Sequence, residues 1–183
     1  MVTKTIHNTF TDIFKITSDV YSDNRGSFEE SFNEIIKNEL PESFKVCQEN
    51  ISISKANVAR GLHWQLYPYR QAKFVHCAKG KIIDIFVDIR KGSKTIFKPG
   101  YFVLNQGESA FIPRGYAHGF IAMEESVVVY KVDSPYAPEY ARDMDLKGMI
   151  KLIPELCKYY DENLIMSDKD VNAEIFPAEE DLL

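Results

Sequence analysis

The sequence predicts a mainly β protein, folded as an antiparallel jelly-roll barrel with short peripheral helices. Several runs alternate apolar and polar residues with period 2, which is typical of half-buried strands. Glycine or proline turns separate these runs at regular intervals, as in barrels and sandwiches. The chain has 183 residues, of which 45% are hydrophobic, so it can bury one sizeable core. We therefore expect residues 1–183 to form a single domain.

Helices are expected on either side of the strand-rich region. The run FEESFNEIIKNEL has apolar residues at helical spacing and stops at Pro41. The residues that share its predicted apolar face are Phe32, Ile35, Ile36 and Leu40. After Pro138 the pattern becomes weakly helical through LKGMIKLIPELCKYY, is broken by Pro154, and then runs polar to the end.

The strand signal is clearest in KFVHCAKGKIIDIFVDIRKGS, which reads as two strands around a turn at Gly80. One face of the second strand is wholly apolar and carries Ile83, Ile85, Val87 and Ile89. The other face carries Ile82, Asp84, Phe86 and Asp88. This mixture of apolar and acidic residues is what the lining of a cavity would show. Further short strands follow in GYFVLNQGESAFIPRGYAHGFIAM and SVVVYKVDS.

Composition excludes several classes of protein. The net charge is −5, so no basic field attracts nucleic acid, and an anionic ligand would need a local cluster of cations. The three cysteines, Cys47, Cys77 and Cys157, have no C-x-x-C spacing and are expected to be reduced thiols. No apolar run has the length of a signal peptide or a membrane span. We expect a soluble cytoplasmic protein without a membrane partner.

Two histidines lie in glycine-flanked segments at predicted strand ends, where small barrels open into pockets. They are His63 in GLHWQ and His118 in PRGYAHGF. The second segment resembles the second motif of the cupin superfamily, whose first motif supplies an H-x-H pair and a glutamate. Here Gln65 stands two residues after His63, and Lys73 would repel a divalent cation, so we expect no metal ion. His7 and His76 are interpreted as packed or surface histidines.

Polar residues recur on strand faces that a simple core would fill with apolar ones. Gln48 and Asn50 share a face in VCQENIS, and Tyr130 shares a face with Val128 and Val132. Buried polar groups are costly unless they bind one another or a ligand. The pattern therefore predicts a ligand cavity inside the barrel.

Six segments, in order and with similar spacing, resemble the dTDP-4-dehydrorhamnose 3,5-epimerase family. They are DNRGSFEESFN, CQENISIS, ARGLHWQ, QAKFVHCAKGKIIDIFVDIRKGS, IPRGYAHGF and YKVDSPYAP, followed by MSDKD at 166–170. The resemblance is strongest over residues 23–138, and the chain diverges after Pro138. It implies a cofactor-independent isomerase that inverts C3 and C5 of a nucleotide-linked 4-keto-6-deoxy sugar. The substrate it implies is dTDP-4-dehydro-6-deoxy-D-glucose, in a pathway of deoxysugar and polysaccharide biosynthesis.

The resemblance also implies catalytic roles. Proton removal next to a ketone needs a base, a group that stabilises the enolate oxygen, and an acid on the opposite face. His63 matches the family's base, and Lys73 matches the cation near the enolate oxygen. Tyr130 matches the acid, a role that a phenol can fill if nearby cations lower its pKa. The carboxylate that orients His63 matches Asp170, with Asp168 left open as an alternative.

Further positions match contacts to the nucleotide or the sugar. Arg25 and Arg60 match residues that pair with the diphosphate, and Tyr136 matches an aromatic that stacks on the base. The other matching substrate-binding residues are Phe28, Glu30, Gln48, Asn50 and His118, and Asp84 matches a supporting residue near the base. In the family, the segment with Arg25 and Phe28 reaches into a neighbouring subunit, which implies a homodimer.

Three alternatives remain open at this point. An epimerase of the same fold could act at C3 or C5 alone, or on another nucleotide sugar. A metal-dependent cupin enzyme could use His63 and His118. A non-catalytic sugar-nucleotide binding protein would not need an acid and a base on opposite faces.

Overall fold

Two antiparallel sheets pack face to face in the computed structural model, which describes residues 2–157 and 163–183. The six-stranded sheet has the order β1-β2-β10-β7-β12-β5 and the five-stranded sheet the order β13-β6-β11-β8-β9. A separate hairpin pairs β3 with β4. This arrangement confirms the predicted mainly β, jelly-roll architecture.

The strand boundaries follow the period-2 runs of the sequence. The strands are β1 (Thr3–Ile6), β2 (Phe14–Thr17), β3 (Val20–Asp23), β4 (Gly26–Glu29), β5 (Gln48–Ser54), β6 (Ala59–Gln65), β7 (Lys73–Lys79), β8 (Lys81–Asp88), β9 (Pro99–Asn105), β10 (Glu108–Ile112), β11 (Tyr116–Ala122), β12 (Ser126–Val132) and β13 (Ala141–Asp143).

The helices are short, as predicted. They are α1 (Glu34–Glu39), α2 (Leu146–Lys151) and α3 (Asp168–Val171), with 3-10 turns at Pro138–Tyr140 and Glu179–Asp181. Asn33 caps α1, because its side chain accepts a hydrogen bond from the backbone of Ile36. Ile36 is buried, but Ile35 is 61% exposed, so its assignment to the apolar face was wrong. Because α1 has only six residues, fewer of the predicted apolar residues pack against the sheet. The part of the C-terminal helical prediction at 158–160 lies outside the described residues.

Apolar residues form a core between the sheets and two further layers outside them. Val75, Val128 and Phe120 belong to the core between the sheets, to which both sheets contribute. The outer face of the five-stranded sheet packs against α2 and the C-terminal segment. The outer face of the six-stranded sheet packs against α1.

Both faces of β8 are buried, including the mixed face that was expected to line a cavity. Its apolar face packs against α2, and Ile82 and Phe86 point into the core between the sheets. Asp88 is buried and paired with the loop that follows β8, which differs from the cavity lining that its face indicated. Burial would raise the pKa of Asp88, but hydrogen bonds from Arg90, Ser93 and Thr95 lower it to about 2. Asp88 therefore holds the following loop in place.

A close approach of β6 and β11 positions the two histidines. Gly61 has a φ of +106°, and a Cβ there would lie 2.6 Å from the Cα of Gly119. The register between the two strands shifts next to this contact, where His63 pairs with His118. Glycine at 61 is therefore required for the local geometry of the histidine pair.

Within residues 2–157 and 163–183, every helix is too short or too polar to cross a lipid bilayer.

Candidate active site

His63 and Asp170 form a hydrogen-bonded pair on the inner side of the five-stranded sheet. His63 lies on β6, and its Nε2 atom is 2.6 Å from Oδ1 of Asp170. Asp170 is buried in the short helix α3, which Ser167 caps, and the backbone N–H of Asp170 donates to the Ser167 side chain. Burial alone would raise the pKa of Asp170, but the hydrogen bond and charge of His63 lower it below the ordinary value.

The structure decides between the two aspartates of SDKD. Asp170 contacts His63, whereas Asp168 is exposed in the first turn of α3. In a helical turn, residues two apart project in different directions, so only one of the two can face β6.

Lys73 and Tyr130 approach from the opposite sheet. Lys73 begins β7 and donates a hydrogen bond from Nζ to the backbone oxygen of His63, at 3.1 Å. Burial lowers the pKa of Lys73 to about 8, against the attraction of Asp84. Tyr130 lies on the neighbouring strand β12. Residues from both sheets therefore surround the same space.

Nearby positive charge does not bring the pKa of Tyr130 below its ordinary value, which was the condition for its role as the acid. Burial raises the pKa of the Tyr130 phenol, and Arg60 offsets this only in part. Desolvation disfavours the phenolate, and it outweighs the charge of a guanidinium that is itself exposed to water. Tyr130 therefore keeps its proton at neutral pH.

His118 and Asp84 form a second, more deeply buried pair. Nε2 of His118 lies 2.7 Å from Oδ1 of Asp84, and both side chains belong to the five-stranded sheet. Burial lowers the pKa of His118, and the neighbouring Asp84 carboxylate opposes this. The sequence placed both residues near the base, and the pairing of His118 with His63 brings them there.

Two adjoining cavities meet at this site, with volumes of about 480 and about 460 Å³. Each lies in the range of small-molecule sites. His63, Asp170, Lys73 and Tyr130, the four predicted catalytic residues, line both cavities, as does Ser167. Arg60 and His118 line the first cavity. Gln48, Asn50 and Tyr136 line the second.

Hydrogen bonds order the polar side of the second cavity. The Gln48 amide donates to Oδ1 of Asn50 and accepts from the backbone N–H of Tyr136. Tyr136 is 59% exposed at the rim, which leaves its ring available for stacking.

Three predicted binding residues lie away from both cavities of this chain. Arg25 and Phe28 are exposed on the β3–β4 hairpin, where Arg25 pairs with Asp23 at 2.6 Å. Glu30 is exposed after the hairpin and accepts a hydrogen bond from Asn33. Their roles stay predictions.

The structure adds Asp143 and Lys169, which the sequence reasoning missed. Asp143 lies on β13, and its Oδ1 atom is 3.4 Å from Nε2 of His63 and 2.9 Å from Nζ of Lys169. A strand of three residues has no readable periodicity, so nothing in the sequence pattern could have indicated Asp143. Lys169 directly precedes Asp170 in the MSDKD segment and could have been noticed as its neighbour.

One arrangement in the described part of the chain has the donor types of a metal site. His63, Asp143 and Asp170 place their ligand atoms within 4.8 Å of one another. However, Nε2 of His63 already contacts Asp170, and the ammonium of Lys169 would repel a divalent cation. The donor set fits a network of paired charges better than a metal ion.

The fold and the cavity together define a cupin-like protein with acid–base groups on both sides of a ligand space. A family model described as dTDP-4-dehydrorhamnose 3,5-epimerase matches residues 7–177. The dTDP-4-dehydrorhamnose 3,5-epimerase of Shigella flexneri is 35% identical over 170 residues, which cover 90% of this chain and 91% of the relative. The chain belongs to the dTDP-4-dehydrorhamnose 3,5-epimerase family.

Two solved structures show how far the likeness extends. RmlC of Legionella pneumophila, a dTDP-6-deoxy-D-glucose-3,5-epimerase in complex with dTDP-4-keto-L-rhamnose, has a TM-score of 0.84 and 29% identity, covering 100% of this chain and 97% of that chain. ChmJ of Streptomyces bikiniensis, a 3′-monoepimerase in complex with dTDP-quinovose, has a TM-score of 0.76 and 25% identity, covering 93% of this chain and 86% of that chain.

Proposed function

We propose that this protein is an isomerase that converts dTDP-4-dehydro-6-deoxy-D-glucose to dTDP-4-dehydro-L-rhamnose by inverting C3 and C5. The observation that carries the proposal is that His63, Asp170, Lys73 and Tyr130 line both adjoining cavities. Membership of the epimerase family and the ligand of the Legionella relative support the same substrate. The reaction consists of proton transfers next to a ketone, so it requires no cofactor.

His63 is the base in this mechanism. It removes the proton from the carbon next to the ketone, and the electron pair moves into the enolate. Asp170 holds the imidazole in orientation and stabilises the imidazolium through the 2.6 Å contact. This is the role that a buried carboxylate plays in other dyads and triads.

Lys73 stabilises the enolate oxygen. Its ammonium group is buried, so its charge is screened less by water than that of a surface lysine. The hydrogen bond to the backbone of His63 fixes the cation close to the base.

Tyr130 returns a proton from the other side of the sugar ring. His63 lies on the five-stranded sheet and Tyr130 on the six-stranded sheet, so a ring held between them presents a different face to each. Inversion requires this opposition, because loss and return of the proton on one face would restore the original centre. The raised phenol pKa keeps the proton on Tyr130 until the enolate carbon takes it, and it makes this phenol a weaker acid than an ordinary tyrosine.

The nucleotide extends along the polar side of the cavities. Arg60 pairs with the diphosphate, because its guanidinium can donate two parallel hydrogen bonds to phosphate oxygens. Tyr136 stacks on the base, while Gln48 and Asn50 contact the nucleotide or sugar. His118, supported by Asp84, lines the sugar pocket.

A homodimer completes the site. Exposed apolar residues lie on the outer face of β5, where Ile51 and Ile53 are 65% and 71% exposed, and on the β3–β4 hairpin, where Phe28 is 66% exposed. Exposed apolar patches of this kind mark interaction surfaces. In the dimer, the hairpin carries Arg25 and Phe28 into the cavity of the partner, and Glu30 follows at its base.

The chain acts as one domain in the cytoplasm. Its site draws on residues from Gln48 to Asp170, so no shorter segment would assemble it. Cys47, Cys77 and Cys157 are free thiols, as expected in a reducing compartment.

The test is proton NMR of dTDP-4-dehydro-6-deoxy-D-glucose incubated with the protein in deuterated water. We expect the C3 and C5 proton signals to disappear, and His63→Ala to slow both exchanges by at least about 10³-fold while nucleotide affinity stays within a few fold. Exchange at C3 alone would instead establish a monoepimerase, as ChmJ is named. Exchange at neither carbon would reject this substrate.

A further inference from the structure

The strand register places a second carboxylate beside His63. β13 pairs antiparallel with β6, with Asp143 opposite His63. The neighbouring residues, Leu62 and Met144, exchange both backbone hydrogen bonds, at 3.1 and 3.0 Å. His63 and Asp143 therefore form a non-hydrogen-bonded pair, in which opposite side chains lie closest and on the same face.

Both carboxylates approach the same nitrogen of His63. Oδ1 of Asp170 lies 2.6 Å from Nε2, and Oδ1 of Asp143 lies 3.4 Å from it. The longer contact is an ion-pair distance, whereas the shorter one is a full hydrogen bond. The Asp143 side chain is 19% exposed, so its charge is only partly screened by water.

Lys169 balances this second carboxylate. Its Nζ atom lies 2.9 Å from the Asp143 oxygen that faces His63, and its side chain is 55% exposed. Two carboxylates so close together repel each other unless a cation lies nearby. Lys169 therefore offsets the negative charge of Asp143 and also weakens its effect on His63.

We propose that Asp143 is a positioning residue for the epimerase reaction, a second carboxylate partner that favours the imidazolium of His63, and that Lys169 tunes this effect as its counter-ion. This inference rests on the proposed function. When His63 takes the substrate proton, the new positive charge lies between Asp143 and Asp170. The pair of carboxylates thus makes His63 a stronger base than Asp170 alone would.

Other charged or titratable groups also face His63, and the test must leave them unchanged. Lys73 on β7, His118 on β11, Arg60 on β6 and Tyr130 on β12 line the first cavity with His63, and Asp84 on β8 acts on Lys73 and His118. Substitution at 143 or 169 alters none of these residues. A change in the titration of His63 therefore reports on the Asp143–Lys169 pair.

The test compares Asp143→Asn and Lys169→Gln by two measurements. The first is the pH dependence of kcat/KM, whose acidic limb reports protonation of the base in the free enzyme. Asp143→Asn removes a negative charge, so the limb should move to lower pH by about one unit, and the plateau should fall about three- to tenfold because the base is weaker. Lys169→Gln removes a positive charge, so the limb should move to higher pH.

The second measurement is NMR titration of the His63 imidazole in the substrate-free protein. It should show shifts of the same two signs, and the double variant should return towards the wild type. Asp168→Asn is the matched control, because it makes the same charge change on the exposed side of α3. It should leave both measurements unchanged.

The outcomes separate this inference from the proposed function. Unmoved His63 titrations in both variants would overturn the role of Asp143, even if the wild type epimerises the substrate. Opposite shifts without any epimerisation would support the charge network and reject the proposed function instead. A fall in kcat/KM of Asp143→Asn without a shift of either titration would also overturn the inference, because it would indicate a purely structural role.

Discussion

Lys73 and Arg60 both bring positive charge to the cavity, but only Lys73 is buried. Burial lowers the pKa of Lys73 to about 8, because the ammonium loses its water and Asp84 compensates only in part. The two cations therefore suit different tasks. An exposed guanidinium can bind a diphosphate, and a desolvated ammonium interacts strongly with a developing enolate.

The lowered pKa of Lys73 predicts how kcat/KM depends on pH on the alkaline side. Above pH about 8, Lys73 loses its proton and can no longer stabilise the enolate, so kcat/KM should fall as pH rises. In Lys73→Arg the cation persists throughout the assay range, so the limb should disappear, although kcat should be lower because the guanidinium has a different shape. The measurement is kcat/KM against pH for both proteins. A limb that persists unchanged in Lys73→Arg would assign it to another group.

Single residues also show where sequence reasoning reached its limit. His63, Lys73 and Tyr130 were expected at one site because they match motifs of the epimerase family, and the structure brings them together around the same cavities. The choice between Asp168 and Asp170 could not be predicted, since it depends on which side of a four-residue helix faces β6. The direction of the Tyr130 pKa shift also depended on burial, which the sequence does not specify.

Among the elements that carry predicted binding residues, the β3–β4 hairpin lines neither of the two cavities at the candidate site. It is held on the outer face of the six-stranded sheet by Glu29 of β4, whose Oε1 lies 3.0 Å from Nε2 of His76. His76 in turn contacts Ser109 on β10. His76 is thus a packed histidine, as predicted, and the contact fixes the base of a hairpin whose tip carries Arg25.

Mixing two impaired variants tests whether the hairpin acts in the partner subunit. Arg25→Ala should lower kcat/KM, and His63→Ala should abolish it. In a mixed dimer, one site would combine His63 of the first variant with Arg25 of the second, so about half of the wild-type activity per mixed dimer should return. The measurement is the exchange rate after the variants are co-expressed. No recovery, with mixed dimers shown to be present, would place the hairpin in its own subunit or outside the site.

At the scale of the whole molecule, burial of histidines couples stability to pH. Burial is the largest cause of the lowered pKa values of His7, His76 and His118. The unfolded chain, with histidines near the ordinary value of 6.5, therefore takes up protons that the folded chain does not. The free energy of unfolding should fall as pH drops below 6.5 towards the lower folded values.

Scanning calorimetry between about pH 7.5 and about pH 5.5 measures this effect. Tm should decrease on acidification, by about 2–4 °C for each kcal/mol lost in a chain of this size. His76→Gln removes one of the three groups while keeping a side chain that can hydrogen-bond to Ser109 and Glu29, so its Tm should depend less on pH. A Tm that rises on acidification, or an unchanged slope in the variant, would contradict this explanation.

The period of the strands was sufficient to predict a jelly roll with a polar cavity, and the resemblance to the epimerase family supplied most of the residues expected around it. Strand periodicity is a local property, and it decides which side chains point inwards before any tertiary contact is known. Only the tertiary structure decided the partners of His63. Asp170 and Asp143 reach it from elements far along the chain, through the orientation of a short helix and the register of a three-residue strand. Neither leaves a periodic signal, because both depend on how the C-terminal segment packs on the five-stranded sheet.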